Sequence, residues 1–342
     1  MSDSLGTLPL AVSLAVSLGD PAGVGPELIV EAWAQRASQV PFFVTGGAGV
    51  LAAAAARRGV TLDIIPIADP AEAPGVFVRG LPVLAGEDGD YRPGEPDRAG
   101  AALALASLTA AVALAVDGRA AGVVTGPVAK SAIAAVDPGF IGQTEFCADA
   151  CGNARADAVM LLAGPQLRTV PLTVHCALAD VPRLLTRALI EHRCRIVARA
   201  LRADFGIAAP RLALTGLNPH AGEAGRMGRE EIEVIAPAIA ALRAEGIDAT
   251  GPHPADTLFA AHLRPTYDVA IAMYHDQALV PLKALDFDEG VNITLGLRIV
   301  RASPDHGTAF GIAGQGSARA NAMIAAIRLA GEVAARRALI NG

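Results

Sequence analysis

Short apolar runs alternate with amphipathic segments along most of this 342-residue chain. The apolar runs have the length and composition of buried strands, and the segments between them carry apolar residues at helical spacing. The clearest runs lie at residues 10–18, 41–45, 123–125, 168–175, 212–217, 269–274 and 291–297. Strands that alternate with helices predict a mostly parallel sheet with right-handed crossover connections, that is, an α/β fold.

Capping residues indicate where two long helices begin and end. Asp97 is expected to cap a helix that extends to about Ala115 and is apolar nearly all round, and therefore buried. Asp180 is expected to cap a second helix that ends at Gly206. The apolar run at residues 10–18 lacks a basic segment before it and is followed directly by Gly-Asp-Pro, which favours a strand over a signal peptide.

Composition narrows the classes of function. The chain is 52% hydrophobic but only 4% aromatic, which predicts a large aliphatic core. A net charge of −6 without a basic run argues against nucleic acid as the main partner. The longest apolar segment, Ala101 to Val116, is expected to be too short to cross a membrane alone. Few cysteines predict a reduced cytoplasmic protein, with Cys147 and Cys151 as buried thiols rather than half of a zinc site.

Three of the seven histidines follow predicted strands. His175, His220 and His275 each lie at or just beyond the carboxyl end of an apolar run. Because these ends lie along one edge of a parallel sheet, we expect the three imidazoles to meet. Three neutral imidazoles form a suitable set of ligands for a divalent metal and leave a position for substrate. Alternatively, each histidine only forms a hydrogen bond at the end of its strand.

Further polar residues lie near these histidines in the sequence. Asp276, directly after the third histidine, is a candidate for orienting an imidazole or binding substrate. Asp256 is a candidate for the same roles, or for a helix N-cap. Two cationic side chains and one carboxamide are expected at strand ends or in loops, and together they would bind a phosphate or carboxylate. These residues are Lys283, Asn292 and Arg301.

Two glycine-containing segments are candidates for contact with a ligand. His306 lies in the polar turn from Asp305 to Thr308, beside a glycine that lets a ligand approach the backbone. Gly47-x-Gly49 follows a strand and opens a helix, as a dinucleotide-binding loop does. No acidic residue ends a clear second strand after it, so the motif is weak.

Eight motif-like segments are spread over nearly the whole chain: GDPAGVGPE from Gly19, TGPVAK from Thr125, GQTEF from Gly142, GLNPHAGE from Gly216, PADT from Pro254, MYHDQ from Met273, GVNITLG from Gly290 and DHGTA from Asp305. These segments resemble the motifs of the 4-hydroxythreonine-4-phosphate dehydrogenases (PdxA) of vitamin B6 biosynthesis. The resemblance implies a two-lobed α/β/α fold like that of isocitrate and isopropylmalate dehydrogenases. Residues 1–131 and 300–342 would form the nucleotide lobe, and residues 132–299 the metal, substrate and dimerisation lobe.

The resemblance also implies an activity: NAD- or NADP-dependent oxidation of 4-phosphohydroxy-L-threonine, followed by β-decarboxylation to 3-amino-2-oxopropyl phosphate. It implies a homodimer with a shared active site. One divalent metal per site, zinc, magnesium or cobalt, would be bound by the three histidines named above. The implied substrate contacts are Gln143, Thr144, Lys283, Asn292 and Arg301. The implied cofactor contacts are His306, Gly307, Thr308 and Gly314, and the candidates for catalysis are Asp276, Asp256 and Lys283.

One departure from the family pattern bears on the substrate. The usual Gly-His-Thr-Glu is Gly142-Gln-Thr-Glu145 here, and glutamine cannot carry a proton near neutral pH. A related enzyme acting on 4-phospho-threonate or phospho-erythronate is therefore an alternative. Two further alternatives are a metal-dependent aldolase or hydrolase, which needs no NAD, and a non-catalytic sensor of phosphorylated metabolites.

Overall fold

The computed structural model describes residues 13–35 and 40–341 of the chain. Its contacts divide the chain into two compact units: unit 1 comprises Met1–Arg155 and Leu297–Gly342, and unit 2 is Ala156–Gly296. These contacts divide the chain after Arg155 and after Gly296, and the predicted lobes, divided after residues 131 and 299, stay a prediction. The roles assigned to the two parts from the sequence stay predictions.

Strands and helices alternate in both units, which confirms the predicted α/β class. The apolar run at residues 10–18 contains the first strand, and its residues 10–12 lie outside the described residues. The strands are β1 Leu14–Ser17, β2 Phe42–Thr45, β3 Ile64–Ile67, β4 Leu81–Leu84, β5 Val123–Thr125, β6 Val159–Ala163, β7 Arg168–Pro171, β8 Arg211–Thr215, β9 Asp248–His253, β10 Val269–Ala272, β11 Val291–Leu295 and β12 Arg301–Pro304.

The strand order shows a mostly parallel arrangement in each unit. In unit 1 the order is β3-β4-β2-β1-β5-β12, and every pair is parallel. In unit 2 the order is β11-β6-β7-β10-β8-β9. There β6 is antiparallel to both of its neighbours, whereas β7, β10, β8 and β9 run parallel. The predicted mostly parallel sheet is confirmed.

Helices cover and connect these strands. They are α1 Gly25–Gln35, α2 Ala48–Arg58, α3 Ala73–Phe77, α4 Arg98–Val116, α5 Lys130–Ala134, α6 Gln143–Ala150, α7 Val181–Leu184, α8 Arg187–Ala203, α9 Ala236–Ala244, α10 Ala255–Leu258, α11 His275–Asp286 and α12 Asn321–Asn341.

The two predicted helix caps have different outcomes. Asp97 caps α4 as expected, because its Oδ1 accepts a hydrogen bond of 2.6 Å from the backbone N–H of Gly100. Asp180 does not cap the long helix α8. It precedes the short helix α7, after which Leu185 adopts extended backbone, and Thr186 then caps α8 by accepting from the N–H of Leu189.

Helix α4 is the core helix of unit 1. Its 19 residues have the length and apolar composition of a membrane span, so the expectation that this segment is too short was wrong. Half of it is buried in the protein. Ser107 joins it to the sheet: its hydroxyl accepts from the N–H of Leu18 at 2.8 Å, and its carbonyl accepts from Thr45 Oγ1 at 2.8 Å. Packing identifies α4 as a core element.

The core of unit 2 fixes the position of α11. Leu282 and Ala278 of this helix are fully buried, and they belong to one apolar cluster with Ala270 and Ala272 of β10. The hydroxyl of Thr169 on β7 donates to the carbonyl of Ala278. The first turn of α11 is thereby held at the carboxyl end of β10.

Candidate functional site

The three strands that precede the candidate metal ligands are neighbours in the sheet. Strand β10 lies between β7 and β8 and is parallel to both, so their carboxyl ends share one edge. His175 lies beyond the end of β7 in left-handed backbone, with φ of 50°. His275 is the first residue of α11, and His220 lies in the turn Pro219–Gly225 after β8.

His175 and His275 come together at this edge. Their ring centroids are 5.9 Å apart, with an angle of 42° between the planes. Asp276 Oδ1 lies 2.7 Å from His275 Nδ1, so the Nδ1–H group donates a hydrogen bond to the carboxylate. The second ring nitrogen, Nε2, is then left to act as the metal ligand. A carboxylate that orients a histidine in this way is a common partner of metal-binding imidazoles. The pair therefore has the chemistry of two ligands to one divalent ion.

His220 does not complete a set of three in this structure. Across residues 13–35 and 40–341, no three His, Cys, Asp or Glu side chains are arranged to hold one ion. The histidine is exposed and lies in a run of six residues, 220–225, that all have positive φ. Its role as the third metal ligand stays a prediction.

A cavity of about 320 Å³ opens beside the two imidazoles. It combines an apolar wall with several groups that form hydrogen bonds, as small-molecule sites commonly do. Its lining residues are Thr173, His175, Cys176, Leu178, Val181, Tyr274, His275 and Asp276. Thr173, Leu178, Val181 and Tyr274 were not singled out from the sequence, because nothing in their spacing distinguishes them from ordinary loop and strand residues.

The cysteines behave largely as expected. Cys147, Cys151 and Cys194 are free and buried, whereas Cys176 is free and exposed at the cavity. Burial raises the pKa of the Cys147 thiol to about 11, so this thiol stays protonated at neutral pH. The prediction of buried thiols at positions 147 and 151 is confirmed.

Lys283 and Asp256 lie in helices rather than at strand ends. Lys283 is exposed on α11, in its last turns, so the expected strand-end or loop position was wrong. Asp256 is exposed in the first turn of α10, whose N-cap is Pro254, and so it is not the cap of that helix. Both residues keep a charged group at the surface of unit 2.

Asn292 has a polar atom that forms no hydrogen bond within the described part of the chain. It is the second residue of β11, and its side chain is half-buried. Its Oδ1 atom is buried and has no hydrogen-bond partner among the described residues. Buried carboxamide oxygens normally have a partner, so this atom is suited to accept a hydrogen bond from a ligand.

Arg301 is held in unit 1 by two neighbouring side chains. It is the first residue of β12 and only 2% exposed. Its Nη2 donates to Thr125 Oγ1 at 2.8 Å and to Gln143 Oε1 at 3.1 Å. Gln143 in turn donates from Nε2 to the carbonyl of Gly126 at 2.9 Å. Gln143 therefore orients the guanidinium, while Thr144 follows it in the first turn of α6.

The polar turn at residues 305–308 packs on the loop before α1. The carbonyl of Thr308 accepts a hydrogen bond from the N–H of Val24 at 2.9 Å. A Cβ added to Gly23 would lie 2.8 Å from that same carbonyl, so the loop needs glycine there. His306 and Gly307 remain exposed, and the backbone of Gly307 has open space around it. The turn is therefore anchored at Thr308 and accessible at its tip.

Gly314 is fixed on both sides of its backbone. Its N–H donates to Oε1 of Glu27, which also accepts from the phenol of Tyr91, and its carbonyl accepts from Arg57 Nε at 2.7 Å. Glu27 ends the GDPAGVGPE motif and is 1% exposed. The sequence does not reveal this contact, because 287 positions separate the two residues.

The Gly47-x-Gly49 segment does not present a free phosphate-binding loop. Asp88 Oδ2 accepts from the N–H of Gly49 at 2.7 Å, and its Oδ1 accepts from the N–H of Val50. The N-terminus of α2 is thus bound by a carboxylate of the protein itself, at the place where a pyrophosphate would lie. This observation argues against a dinucleotide at that loop.

A mostly parallel α/β fold, with a partly apolar cavity that carries polar groups at the carboxyl ends of adjacent strands, defines the class of α/β enzymes that bind small ligands at such an edge. Comparison with known proteins narrows this class. The profile of the family described as pyridoxal phosphate biosynthetic protein PdxA matches residues 38–330. The chain belongs to this family.

Individual relatives agree with the family match. The chain is 62% identical over 327 residues to the 4-hydroxythreonine-4-phosphate dehydrogenase of Erythrobacter litoralis, covering 95% of this chain and 97% of that protein. It is 50% identical to the protein of the same name from Zymomonas mobilis, covering 95% and 96%. The crystal structure of the Klebsiella pneumoniae dehydrogenase has a TM-score of 0.85 and 38% identity, covering 96% of this chain and 99% of that one.

Proposed function

We propose that this chain oxidises 4-phosphohydroxy-L-threonine with NAD or NADP and decarboxylates the product to 3-amino-2-oxopropyl phosphate, as a step of pyridoxal phosphate biosynthesis. Relatives that carry the name of this dehydrogenase over nearly their whole length support the activity. The observation that carries the proposal is the pair of imidazoles, 5.9 Å apart, at the edge formed by β7, β10 and β8.

The metal site is proposed to consist of His175, His220 and His275. Two of these imidazoles fit a shared divalent ion, because they face one cavity and one of them is oriented by a carboxylate. A bound zinc, magnesium or cobalt ion would supply Lewis acidity to an oxygen of the substrate. Nitrogen ligands favour zinc or cobalt over magnesium, which prefers oxygen.

The two candidate bases have different surroundings. The carboxylate of Asp276 accepts a hydrogen bond from Nδ1–H of His275, which supports a role in orienting that imidazole. Asp256 is exposed in the first turn of α10, and a carboxylate is one of the side-chain groups that act as general bases. We therefore assign the general base to Asp256 and the orienting role to Asp276. Lys283 would supply a positive charge for the anionic substrate.

The substrate contacts are proposed from both charge and unused hydrogen-bonding capacity. Asn292 has a buried Oδ1 atom that accepts nothing from the described residues, and a substrate ammonium or hydroxyl group would satisfy it. Arg301 would bind a carboxylate or phosphate oxygen, and Gln143 would keep its guanidinium in place. Thr144 would add a hydroxyl group at the start of α6.

The cofactor is proposed to lie along the turn that contains His306, Gly307, Thr308 and Gly314. Anchoring of this turn at Thr308 and Gly314 supports the assignment, because a preformed surface loses less entropy on binding. NAD or NADP would supply the hydride acceptor. We further propose a cytoplasmic homodimer with a shared active site, which binds neither nucleic acid nor membrane.

A related substrate is the second candidate. Gln143 stands where the family pattern has histidine. Its Oε1 accepts from Arg301 and from Thr125 Oγ1, and its Nε2 donates to the carbonyl of Gly126. A site without that histidine would suit an enzyme that acts on 4-phospho-threonate or phospho-erythronate. Neither of these compounds carries an ammonium group.

Parallel assays of NADH formation distinguish these activities. With NAD and a divalent metal, we expect kcat/KM for 4-phosphohydroxy-L-threonine to exceed that for 4-phospho-threonate by at least about 100-fold, because a site that binds an ammonium group discriminates against its loss. The reverse preference would assign the chain to the related enzyme. Substrate cleavage without NADH would instead indicate an aldolase or hydrolase, and ligand-induced stabilisation without turnover a sensor.

A further inference from the structure

Gln277 joins two strand ends through a single side-chain amide. Its Oε1 accepts from the backbone N–H of Met273 at 2.7 Å and from Thr215 Oγ1 at 2.7 Å. Its Nε2 donates to the carbonyl of Gly216 at 2.8 Å. The amide thus uses both of its ends to connect the residue after β10 with the last residue of β8 and the one that follows it.

These strand ends lead directly to two of the proposed metal ligands. Met273 is two positions before His275, and Gly216 is four positions before His220. The bonds of Gln277 therefore set the distance between the two backbone segments at the points where they leave the sheet. The backbone pairing of β8 with β10 ends at Leu214 and Ile271, and beyond it Thr215 Oγ1 also lies 3.4 Å from the carbonyl of Ile271.

The segment that carries His220 is held at its base by a second side chain. Glu231 is 3% exposed, and its Oε1 accepts from the N–H groups of Leu217 and Asn218, both at 2.8 Å. Beyond that base, residues 220–224 all have positive φ, and only one of them is glycine. Such backbone persists only where its surroundings determine it. Hydrogen bonds at the base of this turn therefore stabilise one of its conformations.

We propose that Gln277 is a positioning residue for the metal centre: it fixes the spacing of the segments that bear His220 and His275. The inference rests on the proposed function, since it takes these two histidines to be metal ligands. Gln277 acts through the backbone and touches neither metal nor substrate. Its loss should therefore weaken metal binding while the fold persists.

Titration of the metal-free protein with Co²⁺ tests this role without any assay of turnover. Gln277→Leu removes all three hydrogen bonds, and we expect its Kd for Co²⁺ to rise about 10- to 100-fold, as for other residues that support metal ligands. Gln277→Glu keeps the acceptor and loses the donor, so its Kd should lie between those of wild type and Gln277→Leu. The Co²⁺ absorption spectrum should change in both variants.

Gln166→Leu is the matched control. Gln166 also lies in unit 2, and its Nε2 donates to the carbonyl of Leu285 and to Asp286 Oδ1, at the opposite end of α11 from His275. Its Kd for Co²⁺ should stay within about twofold of wild type, in contrast to the larger effects expected where ligands are supported.

The outcomes separate the inference from the function on which it rests. Wild-type protein that binds no Co²⁺ would overturn the metal site itself. Wild-type binding with an unchanged Kd in folded Gln277→Leu would overturn the positioning role alone. If Gln277→Leu does not fold, Thr215→Val decides: it removes one donor to Gln277, together with the longer 3.4 Å contact of the same hydroxyl with the carbonyl of Ile271. The Kd should rise about two- to tenfold, whereas an unchanged Kd contradicts the inference.

Discussion

Replacement of His275 by alanine is expected to abolish stoichiometric binding of the divalent metal and to lower kcat/KM on the order of 1000-fold or more. The variant loses the imidazole that Asp276 orients and that lies beside His175. Without it, no ion remains to polarise the reacting oxygen. Metal content after gel filtration and initial rates of NADH formation, measured on the same samples, provide the test.

His192→Ala is the control for this prediction. His192 is also in unit 2 and also pairs with a carboxylate, since its Nε2 lies 2.8 Å from Asp157 Oδ1, but it lies on α8 outside the cavity. Its metal content and rate should match wild type. A His275→Ala protein that retains both its metal and its turnover would show that the ion, if any, binds elsewhere.

Replacement of Arg301 by lysine is expected to lower kcat/KM for the phosphorylated substrate about 100-fold, equivalent to ~2.7 kcal/mol. Lysine keeps the charge but presents no planar fork, so it cannot reproduce the directed bonds to Thr125 and Gln143. The guanidinium is buried, and burial lowers its pKa from the ordinary value, yet arginine stays charged at all relevant pH values. The effect should therefore show little dependence on pH between 6 and 9.

Arg298→Lys provides the matched exchange three positions earlier, at an exposed site. Steady-state kinetics with varied substrate and with varied NAD separate binding from hydride transfer. We expect Arg298→Lys to behave like wild type and Arg301→Lys to raise the KM for substrate more than the KM for NAD. Equal losses in both variants would contradict a specific role for Arg301.

The sequence predicts the fold well because strands and helices have different apolar periods. Asp97 marks the start of α4 because an N-cap needs only a local side chain. Asp180 failed as a cap because it is followed by one short helix and a break at Leu185, which a sequence pattern of continuous helical spacing does not reveal. Thr186, one residue after that break, carries the signal that was missed.

Contacts between side chains that follow neighbouring strands could be predicted from the sequence. Contacts between residues far apart in the chain could not. Histidines after β7 and β10 come together because those strands pair in parallel, a consequence of the fold class. Lys283 was misplaced because the residues after His275 form a helix that tolerates Pro281 in its interior. Asp88, which binds the N-terminus of α2, lies about 40 residues from Gly49 in the chain, and no local sequence pattern indicates this contact.

Gln277 shows a different limit of sequence reasoning. It belongs to the MYHDQ segment, so its presence near the site was visible, but its three hydrogen bonds depend on the pairing of β8 with β10. The position of a glutamine in the first turn of a helix does not indicate its hydrogen-bond partners. Such supporting residues are found only once strand order is known.

Anomalous diffraction from crystals of the Co²⁺-loaded protein, recorded at the cobalt edge, locates the ion and its ligands in one measurement. We expect one strong peak per site, about 2.1 Å from a nitrogen of each of His175, His220 and His275. An ion bound by other residues, or a His220 imidazole outside bonding distance of the ion, would be incompatible with the three-histidine metal centre.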